Sequence, residues 1–525
     1  MSRITLINPP GIKTFSSIQM QTPNPPIGLA YIAGVLRTEG LTYSVVDAVG
    51  EAMDTISTYE ARPDMKVQGL TYDEIVNRIP ADTDIVGVTC MFSTLWPITR
   101  EVGRRVRARF PDVLLVLGGE HGTAVPEHVL RTSDFDLVAI GEGIETVTGI
   151  ISTYRRHGRS KPHWAQVRGI AYLDNDRYTS TGLAARKVAV DDIPLPDWDS
   201  IPIRGYIDRH QLNGADIGPS MPLISTWGCP YQCTFCSNPG MWTQRWIPRH
   251  PRLVVDEMAL YARKYGVTNF DFQDLTAMIK RSWIIDFTDE LIQRGLNVTW
   301  QLPSGTRAEV FDDEVAHRLY AAGLRLLAFA PESGSERMLK LVKKEVDLPQ
   351  MIQAMKAALG AGLKLSCFIV IGFPGETRES LRDSLRLIRK IALLGVHDVA
   401  VTKFVPYPGS LLFRQLQDSG RLKLDDEFFI MPMDFYTSKA PSFADGLSSR
   451  YLYFTMFWMF LNFYAISLAR RPWRLWQALS GVITGREETR LAKWFNDVLV
   501  VRTRWNRQFR KVEAARARAG GVNAA

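Results

Sequence analysis

Three of the chain's five cysteines lie in one short loop with the spacing C-x3-C-x2-C, and this loop constrains the chain more than any other feature. They are Cys229, Cys233 and Cys236. Three thiolates this close can hold three irons of a [4Fe-4S] cube and leave the fourth iron without a protein ligand. A structural zinc site commonly uses two C-x2-C pairs, and no second pair is present. A disulfide framework requires an even number of cysteines in a short secreted chain. The spacing therefore predicts an iron–sulfur cluster with one open iron.

The loop resembles the signature of the radical S-adenosylmethionine (SAM) enzymes, including the aromatic Phe235 just before the last cysteine. The resemblance implies that the open iron binds the amino and carboxylate groups of SAM. It also implies that the reduced cluster cleaves SAM to a 5′-deoxyadenosyl radical. Cys90 and Cys367 lie in apolar runs, so we expect them to be buried strand residues and not ligands.

Length and composition predict a globular protein of two or three domains, because 525 residues are too many for one ordinary core. The first eight residues read as a strand and not as a signal peptide. Together with the few cysteines, this predicts a cytoplasmic protein. The net charge of +8 is modest, and much of it comes from a C-terminal cluster that we expect to be a solvated helix end and not a nucleic-acid or lipid contact. The cluster consists of Arg502, Arg504, Arg507, Arg510, Lys511, Arg516 and Arg518.

Residues 1–150 alternate short apolar strands with helices, which predicts a parallel sheet covered on both faces. Ligands of such sheets bind at the carboxyl ends of the strands, where Gly, Pro and Asp residues collect in this chain. The candidate binding residues there are Asn8, Pro9, Asp47, Gly118, Gly119, Gly141 and Glu142.

This segment resembles the cobalamin-binding domain that precedes many radical SAM domains, which implies a Rossmann-like, flavodoxin-like fold. The matching runs are Asn8-Pro-Pro10, residues 25–33, Gly118-Gly-Glu-His121 and Gly141-Glu-Gly143. Domains that ligate cobalt through histidine carry D-x-H-x-x-G after the second strand. Here the run from Asp47 to Glu51 has no histidine, so no lower axial imidazole is expected. A flavodoxin-like domain without a ligand is the alternative, and we expect His121 to be structural.

Residues 151–215 are predicted to form a linker, and residues 216–425 resume the alternation with six candidate strands. They resemble the partial (β/α)6 barrel of radical SAM enzymes, in which the chemistry lies at the strand C-termini. The resemblance implies acceptors for the SAM ammonium, a guanidinium for a carboxylate, and glycines that allow close backbone approach. The candidate SAM-binding residues are Gln273, Asp274, Ser304, Arg307, Glu332, Ser333, Gly372 and Gly375. No protein residue is assigned a catalytic role, because the cofactors carry the chemistry.

Residues 426–525 are predicted to be a C-terminal helical region with a basic tail. Residues 451–469 contain no charged side chain, and arginines flank them on both sides. Three placements are open: a buried cap helix lining an apolar substrate pocket, contact with one face of a membrane, or a transmembrane span. The first two both predict a large hydrophobic substrate.

The whole chain is similar to cobalamin-dependent radical SAM enzymes, which implies a [4Fe-4S] cluster, SAM and cobalamin as cofactors. The implied reaction is methylation of an unactivated carbon in a small-molecule, hydrophobic substrate, with electrons from a donor such as flavodoxin or ferredoxin. No nucleic-acid partner is expected, and peripheral contact with the inner membrane surface is open. Radical cyclisation or rearrangement is the alternative, as in the anaerobic magnesium-protoporphyrin monomethyl ester cyclase. A non-catalytic cobalamin or redox sensor is the alternative from another class, although the filled SAM positions argue against it.

Overall fold

The computed structural model describes residues 3–14, 22–184, 188–212, 214–242, 244–484, 489–496 and 503. These form an N-terminal sheet domain, a central barrel-like domain and a C-terminal helical region. The residues of the predicted basic helix end lie outside the described part of the chain: Arg502, Arg504, Arg507, Arg510, Lys511, Arg516 and Arg518.

The first domain is an α/β sheet, because its short apolar strands are buried between helices on both faces. Its elements are β1 (Arg3–Asn8), β2 (Gly11–Thr14), α1 (Ile27–Thr38), β3 (Thr42–Asp47), α2 (Ala48–Glu51), β4 (Ile56–Thr58), β5 (Met65–Gln68), α3 (Tyr72–Arg78), β6 (Ile85–Thr89), α4 (Trp96–Arg109), β7 (Leu114–Gly118), α5 (Glu120–Ala124), α6 (Pro126–Thr132), β8 (Leu137–Ala139), α7 (Gly143–His157), β9 (Ile170–Asp174), β10 (Arg177–Ser180) and α8 (Ile203–Asp208).

The main sheet of this domain has the strand order β10-β9-β8-β7-β6-β1-β3. Strands β3, β1, β6, β7 and β8 are parallel, whereas β9 and β10 join as an antiparallel edge. The predicted parallel sheet is confirmed, and two strands from the segment predicted as a linker complete it. A small antiparallel sheet, β2-β5-β4, lies beside it.

The second domain contains six parallel strands in the order β11-β14-β15-β16-β17-β18, which confirms the predicted partial barrel. Its elements are β11 (Ser220–Leu223), β12 (Thr226–Trp227), α9 (Asn238–Met241), β13 (Ile247–Pro248), α10 (Pro251–Tyr265), β14 (Asn269–Phe272), α11 (Arg281–Gln293), β15 (Thr299–Thr306), α12 (Asp313–Ala321), β16 (Leu324–Glu332), α13 (Glu336–Leu341), α14 (Leu348–Gly360), β17 (Lys364–Ile371), α15 (Arg378–Leu394), β18 (Asp398–Lys403) and α16 (Leu411–Asp418). The short strands β12 and β13 pair with each other and flank the cysteine loop.

Helix α15 shows how local sequence sets the ends of the crossover helices. Thr377 and Ser380 form a reciprocal capping box at its start. Gly395 ends it with φ of 114°, a left-handed conformation that glycine adopts without steric cost, and its N–H donates to the carbonyl of Ile391. The helix therefore has a defined length, which positions the strand ends on either side of it.

A shared core joins the two domains, with Ala30 of α1 and Val49 of α2 in the same buried cluster as Met258 of α10. Next to it lies a buried ion pair, in which the guanidinium of Arg249 donates to Glu257 at 2.5 Å and to the carbonyl of Ile224 at 3.0 Å. The side chains of this pair are almost completely buried, so each charge depends on the other for its stability.

The C-terminal region packs on the barrel through one long helix. Its helices are α17 (Asp426–Ile430), α18 (Ser449–Arg470), α19 (Trp473–Thr484) and α20 (Arg490–Asn496). Among the described residues, α18 is the one helix long and apolar enough to cross a membrane by length and composition. However, Leu452, Met456 and Phe463 are buried in the core of the barrel, so one side of this helix packs against the second domain.

We expect Glu257→Gln to lower the free energy of unfolding by about 3 kcal/mol or more, because it leaves the buried Arg249 without a counter-charge. Urea titration followed by circular dichroism measures the change. Asp208→Asn is the matched control, since its pair with Arg204 is exposed and should contribute less than about 1 kcal/mol. Equal effects of the two substitutions would contradict the structural importance of the buried pair.

Candidate functional site

The cysteine loop begins at a buried carboxylate. Asp274, which follows β14, accepts hydrogen bonds from the backbone N–H of Ser225 at 3.1 Å, from the Ser225 hydroxyl at 2.8 Å and from the Thr226 hydroxyl at 2.5 Å. Burial raises the pKa of Asp274, and the hydrogen bonds from Thr226 and Ser225 oppose that rise. The carboxylate predicted to meet the SAM ammonium therefore anchors the start of the loop in this structure.

The three predicted ligand thiols lie together and are partly exposed, and none forms a disulfide. The N–H of Cys236 donates to the carbonyl of Cys233 at 3.1 Å. Burial raises the pKa of all three thiols, that of Cys236 to about 12, and neighbouring thiols raise the pKa values of Cys233 and Cys236 further. Across the described residues, no three His, Cys, Asp or Glu side chains converge on a single metal ion. A cubane gives each thiolate its own iron, so this donor set still fits a cluster.

A buried ammonium lies near these thiols. Lys344 donates to Glu332 at 2.9 Å and lies 6.0 Å from the ring centroid of Phe235. Its positive charge opposes the effect of burial on the pKa of all three cysteines. Sequence reasoning missed this residue, because Lys343-Lys344-Glu345 reads as a solvated run of charges. Its position favours thiolate over thiol, which is the form that binds iron.

The end of β16 and the turn that follows it carry two of the predicted SAM-binding residues, Glu332 and Ser333. Glu332 has φ of 65°, unusual for a residue other than glycine, and follows a register shift between β16 and β17. Ser333 is buried; its hydroxyl lies 3.2 Å from that of Ser384 on α15 and accepts a hydrogen bond from the N–H of Ser335 at 3.2 Å. Glu332 thus accepts a hydrogen bond from Lys344. Ser333 instead connects the end of β16 to α15 through Ser384.

The remaining predicted residues of this edge differ in their surroundings. Ser304 is exposed near the end of β15. Gly372 and Gly375 both have positive φ in the turn after β17. A Cβ at Gly372 would lie 2.7 Å from a methyl carbon of Leu452, and one at Gly375 would lie 2.8 Å from a methyl carbon of Leu341. The left-handed backbone at both positions is the stronger reason for glycine, because the leucine methyl groups can move aside.

Two buried donors at this edge lack partners. The guanidinium of Arg307 stacks over the ring of Tyr231 at 3.7 Å, and its Nη2 donates to Glu309 and to the carbonyl of Glu345. Its Nε has no hydrogen-bond partner among the described residues, and the same holds for the amide nitrogen of Gln273. A buried donor without a partner is costly, so each of these two nitrogens can receive a bound acceptor such as a carboxylate oxygen.

A cavity of about 230 Å³ opens at the carboxyl ends of the strands in the first domain. Its walls are mainly apolar, and it contains four of the predicted cofactor-binding residues: Gly118, Gly119, Gly141 and Glu142. A Cβ at Gly119 would lie 2.6 Å from the carbonyl oxygen of Cys90, and its φ is 100°. By contrast, a Cβ at Gly118 would meet no atom within 4 Å. The cavity can therefore accept a largely apolar group at the carboxyl ends of the strands.

Asn8, Pro9 and Asp47 do not line this cavity. The side-chain amide of Asn8 donates to Asp47 at 2.8 Å. Asp47 also accepts from the N–H of Gly50 at 3.0 Å and from the hydroxyl of Tyr206 at 2.9 Å. Pro9 is buried beside them. These residues stabilise the strand ends and attach α8.

His121 is buried in the core of the first domain and does not line the cavity. Its Nδ1 lies 3.0 Å from the hydroxyl of Ser93, and its ring stacks on Trp96 with centroids 4.7 Å apart. Burial lowers its pKa to about 3, so the imidazole is neutral. Both features agree with a structural role.

The cavity and the cysteine loop meet at one interface. Trp227, two residues before Cys229, lines the cavity, and so does Trp242, which follows α9. The indole of Trp242 donates to Glu120 of the first domain at 3.3 Å. Residues on both sides of the cysteine loop therefore form part of the wall of the first domain's cavity.

Two family models match the chain. The model described as the radical SAM superfamily covers residues 223–388, and the model described as the B12 binding domain covers residues 18–151. The first contains the cysteine loop, and the second contains most strands around the cavity.

Relatives and solved structures cover most of the chain. It is 28% identical to an uncharacterized methyltransferase of Pyrococcus horikoshii, over 78% of this chain and 82% of the relative. It is also 28% identical to the anaerobic magnesium-protoporphyrin IX monomethyl ester cyclase of Cereibacter sphaeroides, over 75% of this chain and 60% of the relative. The radical SAM methyltransferase TsrM of Kitasatospora setae, solved with cobalamin and a [4Fe-4S] cluster, has the same fold. Its TM-score is 0.63 at 14% identity, over 87% of this chain and 91% of TsrM.

We expect Lys344→Met to make the reduction potential of the reconstituted cluster more negative, because a positive charge near the thiolates favours the electron-rich state. A shift on the order of 60 mV corresponds to a tenfold change in a one-electron equilibrium. A redox titration followed by electron paramagnetic resonance measures it. Lys340→Met is the control, since Lys340 is exposed. An unchanged potential in Lys344→Met would show that the ammonium does not act on the cluster.

Proposed function

Because the chain belongs to the cobalamin-binding radical SAM family, we propose that it methylates an unactivated carbon of a large apolar substrate. The observation that carries the proposal is that Trp227 and Trp242, which lie on either side of the cysteine loop, line the apolar cavity of the first domain. Transfer of a group between two cofactors requires that their sites face each other, since proximity and orientation supply much of the rate. The methyltransferase relative, aligned over most of both chains, supports the same reaction.

When bound, the cluster, SAM and cobalamin would supply radical formation and the methyl group. The protein's part is to hold and orient them. Cys229, Cys233 and Cys236 would hold the cluster. The unpartnered donors of Gln273 and Arg307 would bind the carboxylate of SAM.

The cavity of the first domain, at about 230 Å³, would hold one apolar part of cobalamin and leave the rest of the cofactor outside it, at the strand ends. Its apolar walls suit the nonpolar part of that cofactor, and Gly118 leaves room beside the strand end.

Radical cyclisation without methyl transfer is the second candidate, supported by equal identity to the cyclase relative. The chain spans only 60% of that relative's length, whereas it spans 82% of the methyltransferase. This difference favours methylation.

We further propose that a flavodoxin or ferredoxin reduces the cluster, since the basic chain, with a pI of about 9.1, suits an acidic electron-transfer partner. A reducing cytoplasm suits the five free cysteines.

Anaerobic reconstitution with iron, sulfide, hydroxocobalamin and SAM tests the proposal. With reductant, we expect retained cobalamin and release of 5′-deoxyadenosine, and no deoxyadenosine from Cys236→Ser. Deoxyadenosine without retained cobalamin would contradict methyl transfer. A loaded protein that does not cleave SAM would favour the sensor.

Gly118→Leu should abolish cobalamin retention while leaving the melting temperature unchanged, because its Cβ would meet no protein atom within 4 Å and its side chain would occupy space in the cavity that Gly118 lines. The visible spectrum after gel filtration measures bound cobalamin. Gly360→Leu, at an equally open position on α14, is the control. Retention equal to the unmodified protein would place the cofactor elsewhere.

A further inference from the structure

Helix α18 has one side in the barrel core and an opposite side that is apolar and exposed. Leu452, Met456, Met459 and Phe463 form the buried row. The exposed row contains Tyr451, Phe454, Phe457, Trp458 and Leu461, and more than half of the Trp458 surface is accessible. A helix that is apolar all round normally lies within a core or a membrane. One side of α18 has its partner in the barrel, and the other presents large side chains outward.

The following helix also exposes large apolar side chains. Trp473, Trp476, Leu479 and Ile483 of α19 are exposed, Trp476 by 73% and Ile483 by 82%. Large apolar side chains exposed in this number are typical of an interaction site. Tryptophan and tyrosine are also the side chains enriched at the boundary between lipid and water.

A row of arginines lies beside this patch. The guanidinium of Arg378 lies 5.2 Å from the ring centroid of Tyr451, and Arg389 donates to Asn462 at 2.9 Å. Both contacts join residues 73 positions apart in the sequence, and they lie eleven residues apart along each helix, so α15 and α18 run parallel, side by side. Arg382 and Arg386 lie between them on α15 and are exposed. Arg471 and Arg474, which follow α18, donate hydrogen bonds to backbone carbonyls at the end of α15. These two arginines therefore hold the ends of the two helices together.

The charge around the patch has one dominant sign. From residue 446 to residue 486 the sequence contains five arginines and no aspartate or glutamate. On α15, Glu379 and Asp383 are outnumbered by four arginines and Lys390. An apolar stripe with a basic border complements the acyl region and the negative headgroups of an anionic bilayer.

We propose that the exposed face of α15, α18 and α19 docks on the surface of an anionic lipid bilayer, with α18 lying in the plane of the interface. A second copy of the chain would bring two arginine borders together, which the charge pattern disfavours. A transmembrane placement would expose to lipid the polar domain on which α18 packs. The docking does not depend on the proposed reaction. If that reaction holds, the contact of buried Leu452 with the turn at Gly372 puts the start of α18 at the end of the barrel that carries the predicted SAM residues, and a lipid-soluble substrate would enter there.

Vesicle co-sedimentation of the full chain tests this proposal. We expect binding to vesicles of equimolar phosphatidylcholine and phosphatidylglycerol, weaker binding to phosphatidylcholine alone, and release at high ionic strength. Leu461→Ser should lower the partition coefficient about tenfold through lost apolar burial. Arg382→Gln should lower it about fivefold.

Two variants outside the face serve as controls. Ile292→Ser removes an exposed aliphatic side chain from α11, and Arg263→Gln removes an exposed arginine from α10. Both should bind vesicles like the unmodified protein. An equal loss in these controls, or no binding to anionic vesicles, would overturn the proposal.

Three further measurements distinguish the other occupants of this face. A particle of twice 59.3 kDa that Leu461→Ser converts to monomer, with no vesicle binding, would assign the face to a second copy. A lower melting temperature of Leu461→Ser would show that the chain itself covers the face. Bound protein that resists an alkaline carbonate wash would indicate a span. Each result would overturn the proposal, and none depends on SAM cleavage.

Discussion

The hydrogen bonds that Asp274 accepts from Ser225 and Thr226 hold the start of the cysteine loop against the barrel, and the placement of the three predicted cluster ligands depends on them. Without these hydrogen bonds, little else would restrict the conformation of a loop that consists largely of glycine, proline and small polar residues. Asp274 is buried, so the hydrogen bonds from Ser225 and Thr226 must stabilise its charge in place of water. The same loop leads through α9 to Trp242, which joins the barrel to the first domain.

Buried charge recurs around the site and restricts its geometry. Lys344 and Glu332 pair beneath the cysteine loop, and Arg249 pairs with Glu257 next to the domain interface. Such pairs contribute little net stability, but breaking one is costly, so they favour one arrangement over its neighbours. Near the thiols, the ammonium of Lys344 adds a fixed positive charge where a cluster would accumulate negative charge.

The long apolar helix α18 has two environments. Its buried row completes the barrel core, whereas its exposed row forms a patch bordered by the arginines of α15. Each of the three placements considered from sequence gives the whole helix a single environment. None of them therefore describes both the buried row and the exposed row. The apolar character of residues 451–469 is a property of composition, but its division into two faces depends on which residues meet the barrel.

The sequence by itself determined the two α/β domains and the cluster loop, since strand alternation and cysteine spacing are local patterns that any fold of this chain must satisfy. It also placed Gly118, Gly119, Gly141 and Glu142 at the cavity, because carboxyl ends of parallel strands share an edge. Only the tertiary structure decided that Asp274 anchors the loop, that Asn8 and Asp47 bind each other, and that Lys344 lies by the thiols. These contacts join residues far apart in the chain, and a side chain's partner depends on the packing of distant elements, which neither spacing nor periodicity encodes.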